Sequence, residues 1–140
     1  MSVILTFAGC DRMDIIEKHY FAYSDLAADN EPGNWIPKFV PGSASGIKLS
    51  AKIDTGEQLL LFSFTDKFQN GSCVLADISR EKYPPEGFLL VKKWWPKELV
   101  RENLTKPGFL FYSCEGGYNV AIQGRKEMNQ AFVFKILEGR

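Results

Sequence analysis

The stretch from Gly46 to Phe64, GIKLSAKIDTGEQLLLFSF, constrains the fold more than any other part of this chain. Ile47, Leu49, Ala51 and Ile53 alternate with Lys48, Ser50, Lys52 and Asp54, the period-two pattern of a strand with one wet face. Asp54-Thr55-Gly56 reads as a turn, and Leu59 to Phe64 is almost continuously apolar, as expected of a central strand covered on both faces. Two such runs around a short glycine-containing turn predict a β-hairpin. A hairpin with one strand this apolar needs further strands beside it. The C-terminal third supplies them: Phe109 to Tyr112, Tyr118 to Ile122 and Ala131 to Ile136, separated by turns at Glu115-Gly116-Gly117 and at residues 124–129. Neighbouring strands joined this closely are expected to pair in order.

The remaining segments predict short elements. His19 to Tyr23 reads as a strand followed by a helical turn through Leu26-Ala27-Ala28. Glu31-Pro32-Gly33-Asn34 is a turn signal. Pro37 and Pro41 hold residues 35–40 extended, because proline fixes its own φ and pushes its predecessor out of the helical region. Between Asp66 and Tyr83 a short helix is expected, capped by Ser72, with Val74, Leu75 and Ile78 on one face. Trp95-Pro96-Lys97-Glu98-Leu99 resembles a helix entry with proline in the first turn. The expected fold is α+β: an antiparallel sheet of about five strands with one or two short helices on one side. Residues 11–140 form a single domain, long enough to bury a core without metals.

Seventeen basic residues balance seventeen acidic ones, so the chain lacks the electrostatic footprint of a nucleic-acid binder. Its single histidine, His19, has only Asp14 and Glu17 near it in sequence and no Cys or His companions for a metal site. The small-residue run Gly42-Ser43-Ala44-Ser45-Gly46 has neither P-loop spacing nor the G-x-S-x-G elbow that would expose Ser43 as a nucleophile. We therefore expect a non-enzymatic protein with no catalytic residue, cofactor or metal. The aromatic share is 14%. Trp35, Trp94 and Trp95, with lysines around the latter pair and Asp54 at the hairpin tip, form the candidate binding surface. A structural reading of Trp94-Trp95 stands beside it, in which one ring enters the core while the other covers it and lysine stems lie alongside.

The first ten residues, MSVILTFAGC, carry no charge. They are too short to span a bilayer and match the hydrophobic region of a signal peptide. Phe7-Ala8-Gly9-Cys10 resembles the lipobox of bacterial lipoproteins, in which small residues precede a cysteine. Phe7 stands where an aliphatic residue is usual, and no basic residue precedes the run. The resemblance implies that residues 1–10 are a signal remnant, that Cys10 takes the lipid, and that Asp11 directs retention at the inner membrane. If Cys10 is lipidated, Cys73 and Cys114 are left free to pair in an oxidising periplasm; in the cytosol both are expected as buried thiols.

More broadly, Tyr20, Tyr23 and Leu26, Trp35-Ile36-Pro37 with Pro41, Ser43-Ala44, Ile47, Asp54-Thr55 and Phe62 with Phe64 resemble the pattern of a group of small bacterial lipoproteins. Those proteins carry a W-[IL]-P-x-x-x-P-x-S-A block, an Asp-Thr turn, an F-x-F strand and a W-W-P-x-x-L segment, matched here by Trp94-Trp95-Pro96 and Leu99. Asn34 departs from the glycine that usually precedes the first tryptophan. The resemblance implies a membrane-anchored envelope protein facing the periplasm; the first expectation for its role is to bind a protein partner, in stress or immunity. Two alternatives stay open. One is a small-molecule or lipid-binding module using the aromatic surface. The other is a cytoplasmic domain in which residues 3–7 form a core strand.

Overall fold

Apolar residues on alternate sides of the central strands force cover on both faces of one sheet, and the rest of the chain supplies it. The computed structural model describes residues 15–29, 36–65, 68 and 71–137. The expectations for residues 1–10, the Glu31–Asn34 turn and Trp35 lie outside the described residues.

The strands are β1 (Ile15–Ala22), β2 (Ser45–Lys52), β3 (Gln58–Phe64), β4 (Cys73–Leu75), β5 (Leu110–Cys114), β6 (Tyr118–Gly124) and β7 (Asn129–Lys135), with one short helix, α1 (Tyr23–Ala28). They form a seven-stranded antiparallel sheet in the order β1-β2-β3-β7-β6-β5-β4. Two meanders, β1-β2-β3 and β4-β5-β6-β7, are thus joined edge to edge through β3 and β7. That seam pairs Leu59 with Phe134, Leu60 with Val133, Leu61 with Phe132 and Phe62 with Ala131. Both seam strands are apolar on both faces because both faces are buried there.

On one face lie Ile47, Leu49, Leu60, Phe62, Phe64, Val120, Ile122 and Val133, covered by Leu26 of α1 and by Phe39 and Val40. Asp25 begins α1 by accepting a hydrogen bond from the Ala22 N–H at 3.2 Å, the half of a capping box open to a chain whose N-cap is alanine. Tyr23 N–H donates to Ala44 O at 3.0 Å, and Tyr20 Oη donates to Asp29 Oδ2 at 2.7 Å, so both ends of the helix are tied to the sheet edge.

On the other face lie Leu59, Leu61, Ala121, Phe132 and Phe134, covered by Ile78, Tyr83, Leu90, Trp95, Leu99 and Val100 from the long β4–β5 connection. Pro84, Pro85, Pro96 and Pro107 keep this connection from forming an α-helix; it holds only 3₁₀ turns at Arg80–Lys82, Lys97–Leu99 and Arg101–Asn103. Hydrogen bonds between distant parts of the segment fix its shape instead. Arg101 N–H donates to Pro84 O at 2.8 Å, and Arg101 Nη2 reaches Glu81 O at 3.0 Å and Tyr83 O at 3.1 Å.

Three expectations need correction. The sheet has seven strands rather than about five. The segment expected as a helix from Ser72 is strand β4, in which Val74 and Leu75 are 66% and 67% exposed rather than packed on one face. Three apolar residues at i, i+1 and i+4 are too few to fix a helix against the pairing of Cys73 with Cys114 across β4 and β5. The helix entry expected at Pro96 is a single 3₁₀ turn.

Candidate functional site

The hairpin tip holds Asp54. Gly56 at φ 78° closes the turn, a conformation open to glycine at no steric cost. Lys52 Nζ contacts Asp54 at 2.8 and 3.1 Å, and this hydrogen bond holds the exposed carboxyl below its usual range. Behind it, the buried Glu57 carboxylate accepts from Thr55 Oγ1 at 2.9 Å and from Leu137 N–H at 2.9 Å. The tip is thereby fastened to the end of β7. These contacts give Asp54 and Glu57 structural partners.

Cys73 and Cys114 face one another at a ladder position where the strands exchange no backbone hydrogen bonds. Glu115 N–H donates to Ser72 O and Ala76 N–H to Phe111 O, so by alternation the bonds run through the even positions of β4. Side chains are closest at the positions between, and there the two sulfurs are bonded at 2.04 Å with Cα atoms 4.0 Å apart. The same alternation turns the backbone groups of Cys73 and Leu75 outward, along the edge of the sheet formed by the described strands.

The two adjacent tryptophans go to different places. Trp95 is buried; its indole N–H donates to Leu99 O at 3.1 Å, and its ring meets Phe132 and Phe134 edge-on at 5.8 and 6.1 Å. At 4% exposure it presents little of its ring to the surface. Trp94 is half-buried, leaning on Trp95 at 6.2 Å, and its buried indole N–H has no acceptor among the described residues. Trp94 lines a cleft of about 280 Å³ between the sheet and its irregular cover. Leu61 and Phe132 form the apolar part of the sheet wall, Phe109 faces them from the cover, and Glu98, Gln123, Arg125 and Gln130 supply polar groups. Gln123 and Gln130 are opposite one another in the β6–β7 ladder.

Sequence reasoning missed the cleft's polar residues. The hairpin register of β6 and β7 was the available signal, since it brings two glutamines seven positions apart onto one face. A second cleft, of about 290 Å³, lies between the hairpin tip and the β5–β6 turn and includes Lys82, Ser113 and Lys135. Lys135 Nζ sits 4.8 Å from the centre of the Tyr118 ring. Burial pushes the Tyr118 hydroxyl above its ordinary pKa, with the neighbouring Gln58 amide acting in the opposite direction.

His19 is exposed on β1, opposite Lys48. Ser43 Oγ accepts a hydrogen bond from Thr65 N–H at 3.4 Å. Among the described residues, no group of three or more His, Cys, Asp or Glu side chains is placed to hold a metal ion. No helix among them is long and apolar enough to cross a membrane. Comparison with protein-family models, with curated proteins and with solved structures gives no match.

Proposed function

We propose that this chain is a non-enzymatic binding domain of the bacterial cell envelope, anchored through a lipid on Cys10 and engaging a protein partner outside the cytoplasm. The observation that carries the reading is the Cys73–Cys114 bond. Disulfides form and persist in oxidising compartments and are rare where glutathione and thioredoxin keep thiols reduced. This pair also accounts for two of the three cysteines, leaving Cys10 for the anchor that its lipobox-like setting suggests.

The β4 edge supports the partner half of the reading. Among the described residues no strand pairs with its outward backbone groups at Cys73 and Leu75, and such an edge accepts an added strand. Val74, Leu75 and the nearby Leu110 of β5 are 66%, 67% and 58% exposed. The occupant this edge fits is an extended segment of an envelope protein with small apolar side chains at alternate positions.

Intact mass and membrane fractionation of the protein expressed from its own gene, beside Cys10→Ser, test the location. The expected result is cleavage before Cys10 with added lipid mass, lost in the variant, and no free thiol at Cys73 or Cys114 before reduction. A soluble product that retains residues 1–10 and has two free thiols overturns the proposal in favour of the cytoplasmic alternative.

A further inference from the structure

We propose that the cleft beside Trp94 binds an uncharged polyhydroxylated ligand, a single sugar ring or the end of a short glycan. The inference does not depend on lipidation or location. It rests on how the cleft is built. The sheet wall is apolar at Leu61 and Phe132 and turns polar two residues further along β6 and β7, where the amides of Gln123 and Gln130 are cross-strand neighbours. The opposite wall places Trp94 and Phe109 beside Glu98, and Arg125 comes in from the β6–β7 turn.

Four side chains with hydrogen-bonding capacity therefore ring an aromatic surface. Glutamine amides donate and accept, arginine only donates, and an ionised glutamate only accepts. None of the four makes a hydrogen bond or ion pair to another described side chain. One acid and one base leave the cleft without net charge, which does not favour an anion or a cation. A sugar ring answers the pattern: its C–H face lies against aromatic carbon while its rim of hydroxyls both donates and accepts. The volume, about 280 Å³, is at the low end of the range for small-ligand sites and suits one ring rather than a long chain.

Trp94 strengthens the argument by contrast with its neighbour. Trp95 is fixed by its bond to Leu99 and by ring contacts on its buried side. Trp94 lacks such a bond among the described residues, and its half-buried ring lines the cleft.

The experiment is a titration of the full chain, labelled with nitrogen-15, with glucose and with N-acetylglucosamine, and with glycine as the zwitterionic control. The expected result is saturable shifting of the Trp94 indole and of the Gln123 and Gln130 side-chain amide signals by at least one sugar at millimolar concentration, with the Trp95 indole unmoved. Gln123→Ala and Trp94→Ala should each weaken that binding by about tenfold, the usual cost of one lost hydrogen bond or ring contact. Both residues are partly exposed, and an unchanged amide spectrum elsewhere shows that each variant folds. Absence of saturable shifts with either sugar overturns the proposal. So does binding of glycine alone, or sugar binding that survives both substitutions.

Discussion

The two faces of the sheet are covered in opposite ways. On one, α1 and the segment 36–44 lay Leu26, Phe39 and Val40 over aliphatic strand residues. On the other, a connection with no α-helix holds Tyr83, Trp95 and Leu99 against Phe132 and Phe134. The first cover is anchored at the sheet edge by the Tyr23–Ala44 backbone bond and the Tyr20–Asp29 side-chain bond. The second is cross-braced within itself, chiefly through Arg101, whose backbone and guanidinium bond to Pro84, Glu81 and Tyr83. A proline-rich segment cannot satisfy its backbone groups helically, so distant parts of it must do so for one another. Such a segment also meets the sheet unevenly, and the cleft beside Trp94 opens at one such junction.

The sharpest break in this comparison is Trp95→Ala. Removing a fully packed indole from the braced cover should cost about 3–5 kcal/mol, whereas Trp94→Ala should cost under about 1 kcal/mol. Chemical denaturation of both variants checks this; equal losses would mean that the two rings share one structural job. Next is the Cys73→Ala/Cys114→Ala double variant, expected to lose about 3 kcal/mol. Native-state hydrogen exchange should place its weakening at the β4 edge rather than under either cover.

High pH probes the braced cover through Tyr83. The Tyr83 ring is buried and stacks on Phe134 at 4.7 Å. Burial, with the Asp77 carboxylate adding to it, pushes its hydroxyl up to about 12 from an ordinary 10.0. The folded protein thus keeps the proton longer than the unfolded chain. Stability is intact below the unfolded value and should fall as pH rises from 10 towards 12. Tyr83→Phe should flatten that part of the pH–stability curve, measured against the parent protein. Arg101→Lys is expected to cost about 1–2 kcal/mol, because the side chain is one bond shorter and its nitrogen does not reach the position from which Nη2 meets both carbonyls. The smallest effect belongs to Asp54→Asn at the exposed hairpin tip, for which thermal unfolding should show no measurable shift.

The local signals in the chain were strong wherever the pattern was long. The hairpin of β2 and β3, the C-terminal meander and the strand running into α1 were all legible, since each combines a clear period with glycine or polar turn residues. So was the division of labour between a buried and a covering tryptophan, though not which ring did which. Strand β4 was not legible, because Cys73-Val74-Leu75 is too short to carry a period and reads equally well as one turn of helix. The cleft was half legible: Trp94 stood out, while Glu98, Gln123, Arg125 and Gln130 looked like ordinary surface residues.

Residue order therefore determined the elements that rest on near neighbours: the alternating strands and the glycine turns. Tertiary structure alone decided what joins over long separations. It set β7 between β3 and β6, uniting two meanders into one sheet. It brought Cys73 to Cys114 across 41 positions, and it set Trp94 over two glutamines from a distant hairpin. Local periodicity reports which side of an element is apolar. Which other element will bury that side depends on the shape of the whole core.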